Sequence, residues 1–228
     1  MKRSGTFFAK AGGKRAEMFI YDEISRWGIS ADSFSRELRA LGTAEALDIY
    51  VNSPGGSVFD GIAIFNQIAR HPAKEKVIHV DGIAASIASV IMMAGTKIKV
   101  ASNGTVMIHD PWAFAAGTAK DMRKMADSLD LTRDQILDTY VKRTKGKRDE
   151  ISAWMDEETW MNATEAKARG FADEITEAVE MEASFAMLEK FAKVPANLRQ
   201  QAADTKATMA RVHAVTARIK AGRVSPKA

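Results

Sequence analysis

Residues 46–70, "ALDIYVNSPGGSVFDGIAIFNQIAR", read as a strand, a turn and a helix in unbroken succession. Leu47, Ile49 and Val51 alternate with polar partners, as a half-buried strand requires. Pro54 and the Gly55–Gly56 pair break that strand. Ser57 is a good N-cap with Asp60 three residues on, and Val58, Ile62, Phe65 and Ala69 then share one apolar helical face.

The same alternation extends on both sides. "EMFIYDEI" (17–24) predicts a short first strand. "SADSFSRELRALG" (30–42) predicts a helix capped by Ser30 or Asp32, with Phe34, Leu38 and Leu41 at helical spacing and Gly42 as the stop. Downstream, "KVIHVDG" (76–82) reads as a strand, followed by an Ala/Ile/Met-rich helix that contains Ser86 and ends near Gly95. "KIKVAS" and "TVMIHD" predict two short strands around an Asn103–Gly104 turn. From Thr118 to about Lys145 a long amphipathic helix fits, with Met122, Met125, Leu129, Ile136 and Tyr140 on one side; a break near Leu131–Thr132 is compatible with the pattern. "NATEAKARG" (162–170) predicts a short helix capped by Asn162, with Glu165 at the third position and Gly170 as the stop. Strands alternating with helices imply an α/β fold with a largely parallel sheet. Three segments are expected: a flexible arm over 1–16, a folded domain over 17–180, and a helical, basic extension over 181–228.

Composition narrows the function classes. The chain has 228 residues, 46% hydrophobic and 27% charged, which suits one soluble domain with an appendage. The longest apolar stretch, from Ile83 to Gly95, is shorter than the ~20 residues of a membrane span. The N-terminus is basic without a signal-peptide apolar run, so no membrane partner and a cytoplasmic location are expected. Zero cysteines exclude disulfides and thiolate chemistry. Residues 194–228 hold seven Lys/Arg and one Asp, a local +6, so the net +4 leaves residues 1–193 at −2. The folded part is therefore not basic, and no nucleic-acid partner is expected.

The chemistry-bearing residues are few. Ser86 falls where a strand meets a helix, a position at which free N–H groups and the helix dipole make a hydroxyl either structural or reactive. The Gly55–Gly56 pair is either a plain turn or a set of N–H groups aimed at an anion. His109 ends a strand. His71 stands at a helix end before Pro72, His79 lies within a strand and His213 in the tail. Without cysteine, and with no two histidines at ligand spacing on one element, no metal is expected. "SPGGS" lacks the Lys of a Walker loop and the third Gly of a dinucleotide loop, so no cofactor is expected either.

Four blocks in order, "YVNSPGGSVFDGIAIFNQI", "DGIAASIASVIMMAG", "GTVMIHDP" and "TWMNATEAKARGFADEI", resemble segments of the Clp-type serine peptidase proteolytic subunits over roughly residues 17–178. Within that family the chain looks most like the phage-encoded head maturation proteases, chiefly through "EETWMNATEA" and the extra C-terminal segment. The resemblance implies a crotonase-like α/β fold and a serine endopeptidase. By matching position it makes Ser86 the nucleophile, His109 the general base, and the Gly56 and Ile87 N–H groups the oxyanion hole. The family's acid is an Asp two residues before an aromatic; here Glu158 stands there before Trp160, and Asp156 is a nearby competitor. The long helix from Thr118 matches the segment by which Clp-type rings stack, so a homo-oligomer is implied. Polypeptide substrates are implied too, scaffold and capsid proteins in the phage setting, with the protein in the host cytoplasm or inside an assembling prohead.

Other readings remain. A signal-peptide-peptidase-A-like Ser–Lys protease needs a Lys near Ser86, with Lys97 and Lys99 nearest in sequence. An acyl-CoA enzyme of the crotonase type lacks an evident CoA signature here. A non-catalytic assembly protein would keep the fold alone. The basic tail, following Pro195 and poor in large apolar residues, is expected to stand outside the catalytic core.

Overall fold

The computed structural model describes residues 9–12, 14–179, 191–196 and 198–200. In chain order the elements are β1 (Ala9–Gly12), β2 (Arg15–Ile20), α1 (Ala31–Ala40), β3 (Ala46–Ser53), α2 (Val58–Arg70), β4 (Glu75–Ala85) and α3 (Ile87–Met92). Then follow β5 (Lys97–Ala101), β6 (Thr105–Ile108), α4 (Ala119–Thr144), α5 (Arg148–Asp156), β7 (Thr159–Asn162), α6 (Ala163–Ala168) and β8 (Glu174–Thr176). The α/β alternation expected from the sequence is present.

The sheet runs β1-β2-β3-β4-β5-β8, parallel from β2 onward, with β1 antiparallel to β2. β4 is the strand that positions the site. Its first half pairs with β5 (Val77–Val80) and its second half, Ile83–Ala85, pairs with β6. Its register against β3 shifts between Val51 and Ser53, where Asn52 Oδ1 accepts from Ile83 N at 3.2 Å in place of a ladder bond. β6 in turn pairs antiparallel with β7. Thus β5 and β6 both lie parallel to β4, and the Asn103–Gly104 turn joins them without making a hairpin. The end of β4 carries Ser86 beside the end of β6, which leads into His109.

The core lies between this sheet and α1, α2 and α3, with Met18, Ile20, Leu47, Ile49, Ile64 and Ile78 all fully buried. The buried stripe of α2 is Gly61, Ile64 and Ile68. The expected face of Val58, Ile62 and Phe65 flanks it, half-buried. The helix is turned because α2 rests closely on α3: a Cβ at Gly61 would lie 2.2 Å from Ile87 Cγ1. α4 runs unbroken through Leu131–Thr132, since Thr132 Oγ1 folds back on Ser128 O at 2.8 Å and leaves the backbone ladder intact. Its buried residues are Thr132, Ile136, Leu137 and Tyr140, so Met122, Met125 and Leu129 of the expected apolar side are only half-buried.

Several expectations about segments change. Residues 9–12 and 15–16, expected in the arm, are strand, because an edge ladder needs backbone pairing rather than apolar side chains; residues 1–8 lie outside the described residues. α5, β7 and β8 were not foreseen. Residues 191–196 and 198–200 do not stand apart: Phe191, Val194 and Leu198 are buried against Ile83, Ala85, Met107 and Trp160. Three large apolar side chains at that spacing suffice to dock a short segment, even one as basic as this. His213 and the other residues beyond 200 lie outside the described residues.

Candidate active site

Ser86 is not inside a helix. It is the N-cap of α3, with φ 55° and ψ −130°, at the point where β4 turns sharply into the helix. A non-glycine residue in that region is strained, so it persists only when its surroundings hold it. Ser86 N donates to Met107 O at 3.0 Å, tying the turn to β6. Its carbonyl accepts from Ser89 N at 2.9 Å and from Ser89 Oγ at 2.5 Å. Ser89 Oγ lies 2.8 Å from the hydroxyl of fully buried Tyr140 on α4. With its own hydrogen directed at the carbonyl, Ser89 accepts the tyrosine's.

Ser86 Oγ lies 2.7 Å from His109 Nε2. The two residues are brought together by the adjacent ends of β4 and β6. Burial lowers the His109 pKa from the ordinary histidine value and the nearby Glu158 charge opposes that, burial prevailing. A neutral imidazole with a free Nε2 lone pair can take a proton from the hydroxyl it faces.

The Gly pair comes up to the same place. Gly55 has φ +91°, and a Cβ there would sit 2.6 Å from Ala85 O and 2.7 Å from Ser86 Cβ, so only glycine fits against the serine turn. Gly56 (φ +138°) follows, its neighbours pinned by Ile24 N to Gly55 O (2.7 Å) and Ser57 N to Ile24 O (2.6 Å). Ile87 is the first residue of α3, where an N–H has no acceptor within the helix. A cleft of about 180 Å³ opens here, lined by Glu23, Gly56, Ser86, His109, Trp112 and Phe191 among others.

Glu158 is close enough to influence His109 electrostatically, but no hydrogen bond joins the two side chains. Its carboxylate accepts from Trp160 Nε1 at 3.1 Å, Ala192 N at 2.9 Å and Lys193 N at 2.6 Å. Burial alone would raise its pKa; the Lys193, Ala192 and Trp160 donors and the imidazole outweigh burial and hold it below the usual carboxylate range. Among the described residues three non-glycines have positive φ, Ser86, Lys145 and Glu158, so two of the three are at this site. Asp156 is elsewhere: it ends α5 and pairs with Arg133 Nη2 at 2.7 Å. Lys97 and Lys99 are both tied to Glu174 on β8, away from the serine, which removes the Ser–Lys arrangement. His71 caps α2 and accepts from Ala73 N, and His79 bonds Asp48 and stacks on Tyr50. Ser89, Tyr140 and Phe191 were not singled out from the sequence; the i, i+3 spacing of Ser86 and Ser89 at a helix start was the available signal for the first.

A model of the Clp protease family matches residues 9–179. The chain belongs to the Clp protease family. ATP-dependent Clp protease proteolytic subunit 1 of Synechococcus sp. (strain CC9902) is 33% identical over 155 residues, 64% of this chain and 78% of the relative. The ATP-dependent Clp protease proteolytic subunit of Bacteroides fragilis (strain ATCC 25285) is 32% identical over 140 residues, 60% of this chain and 67% of its own. Subunit 1 of Prochlorococcus marinus subsp. pastoris is 31% identical over 179 residues, covering 72% and 91%. The Clp protease fold is crotonase-like, as expected, and the proteolytic subunits of this family are serine-type peptidases that act on polypeptides and form oligomers.

Proposed function

We propose that this Clp-family protein is a serine endopeptidase worked by Ser86, His109 and Glu158. Ser86 Oγ bonds to the scissile carbonyl carbon while its proton passes to His109 Nε2. The imidazolium then protonates the leaving amine as the C–N bond breaks, and water releases the acyl group by the same route. The N–H groups of Gly56 and Ile87 hold the oxyanion, donors worth roughly 2.7–4 kcal/mol each to a transition state. Glu158 stabilises the imidazolium. The observation that carries this reading is the 2.7 Å Ser86 Oγ–His109 Nε2 contact at a strained turn opening on the cleft. A fluorophosphonate probe should label the wild-type chain and not Ser86→Ala, and peptide hydrolysis should vanish in Ser86→Ala and His109→Ala with the circular dichroism unchanged. Labelling that survives Ser86→Ala would sink the assignment, and no labelling or hydrolysis in any form of the chain would leave an assembly protein that keeps the fold.

The substrates we infer are scaffold and capsid proteins processed inside an assembling phage head, in the host cytoplasm or prohead. The resemblance in "EETWMNATEA" supports this, as does the basic segment beyond the family-matched residues. A segment carrying +6 is attracted to acidic scaffold surfaces over a range of about 8 Å at physiological salt. Homo-oligomerisation belongs to the same reading, since half-buried Met122, Met125 and Leu129 and exposed Leu131 lie on a stretch of α4 that the chain's own core covers only in part. Co-expression with candidate scaffold and capsid proteins tests the substrate class: cleavage by wild type and not by Ser86→Ala is expected, and intact substrates in both would reject it.

A further inference from the structure

Residues 191–200, "FAKVPANLRQ", lie beyond the family-matched part of the chain, and yet those of them from Phe191 to Val194, with Leu198, pack at its reactive centre. Phe191 lines the cleft with Ser86 and is 8% exposed. Its ring stands edge-on to His109, 5.3 Å between centroids, and also meets Trp160 at 5.8 Å. The next two residues direct their N–H groups at the two oxygens of Glu158. Val194 and Leu198 are buried on Ile83, Ala85 and Met107, the strand ends that carry Ser86 and His109. Arg199 closes the segment on itself, donating from Nε to Val194 O and from Nη2 to Ala192 O, each at 2.9 Å.

The contacts have the chemistry of a bound peptide: a large side chain in the cleft, main-chain donors on a carboxylate, apolar anchors alongside. We propose that residues 191–200 are a tethered occupant of the substrate cleft, with Phe191 in the place of a substrate side chain. The proposal rests on the serine-peptidase reading above. It has two consequences for that site. A polypeptide cannot enter beside His109 while Phe191 is there. Glu158, its oxygens engaged by the Ala192 and Lys193 N–H groups, is held off His109 until the segment leaves.

Two variants of the full-length chain separate the contacts. Val194→Ser/Leu198→Ser removes the anchors, and Lys193→Pro removes one Glu158 donor without changing the core. Each should raise kcat/KM on a short fluorogenic peptide at least tenfold, equivalent to about 1.4 kcal/mol. Fluorophosphonate labelling of Ser86 should quicken in parallel. The synthetic decapeptide FAKVPANLRQ should inhibit the anchor-free variant competitively, and the same peptide with Ala for Phe should inhibit at least tenfold less. If Ser86 labels normally but both variants match or fall below wild type, the segment supports the site and the proposal is overturned. If Ser86 neither labels nor hydrolyses peptide in any form, the serine-peptidase reading falls and takes this one with it.

Discussion

Replacing Ser89 with alanine removes one hydroxyl and strands another. In the native turn Ser89 Oγ bonds Ser86 O at 2.5 Å and receives the Tyr140 hydroxyl at 2.8 Å, in an environment where Ser89 is fully buried and Tyr140 is 1% exposed. The alanine leaves the Tyr140 hydroxyl buried without a partner, at a cost of about 1–3 kcal/mol, and loses a bond worth about 0.5–1.5 kcal/mol. Ser86 O keeps its bond from Ser89 N, so the total is about 1.5–4.5 kcal/mol. For a chain of this size that lowers Tm by about 3–18 °C. Tyr140→Phe removes the hydroxyl that would be stranded, so Ser89→Ala/Tyr140→Phe should be no less stable than Ser89→Ala alone, a favourable coupling in a double-mutant cycle. Activity should divide differently. Ser86 C=O and Ile87 N–H belong to one peptide plane, so the Ser89 hydroxyl also fixes the direction of the proposed oxyanion donor. Loosening that plane weakens the donor without deleting it, for which we expect kcat to fall about tenfold, or about 1.4 kcal/mol, with KM little changed. The loss should appear in Ser89→Ala and in the double variant alike, and be small in Tyr140→Phe. Melting curves and steady-state kinetics on a fluorogenic peptide measure both. An unchanged kcat in a destabilised Ser89→Ala protein would refute the positioning role, and strictly additive destabilisation would refute the coupling.

Three further outcomes follow from the same geometry. Burial puts the His109 pKa below the ordinary value of about 6.5, so the base form persists to lower pH and kcat/KM is lost only as pH falls through that lowered value; a pH–rate limb centred above 6.5 in the full-length chain would contradict this. Asp156→Asn should leave hydrolysis unchanged and alter stability by less than about 1 kcal/mol, because its pair with Arg133 is more than half exposed on the Asp side. Glu158→Gln should lower hydrolysis at least tenfold once residues 191–200 are detached; the reverse ranking reassigns the acid, and no effect of either leaves a Ser–His dyad.

What the sequence made legible was whatever depends on local chemistry. Ser57 and Asn162 each cap a helix as their spacing to the next polar residue implies, and Ser30 rather than Asp32 caps α1, because a cap is decided within four residues. The strand–Gly–Gly–helix pattern around Gly55 was equally readable, since positive φ against a neighbouring turn admits little else. Features that depend on one element meeting another were not. Which stripe of α2 is buried follows from how near α3 comes, and whether β5 and β6 form a hairpin follows from β4, whose two halves pair with them in turn.

The C-terminal segment is the sharpest instance of that difference. Its net charge and few large apolar residues describe a solvated extension, and by composition that is the reasonable expectation. Yet a segment need not build a core to be ordered if it borrows one. Ile83, Ala85, Met107 and Trp160 present an apolar surface at the strand ends, and Phe191, Val194 and Leu198 are enough to cover it. The backbone donors that Glu158 finds there have no signature in side-chain sequence at all. Glu158 itself, with φ 53° just past the end of α5, is the acid of the proposed triad and has more than one partner within reach. A carboxylate one methylene longer than aspartate can take its donors from a docked segment or turn towards His109. Which it does is set by whether residues 191–200 are in place, so control of the reaction would lie in a contact between the acid and the chain's own backbone rather than in the identity of the triad.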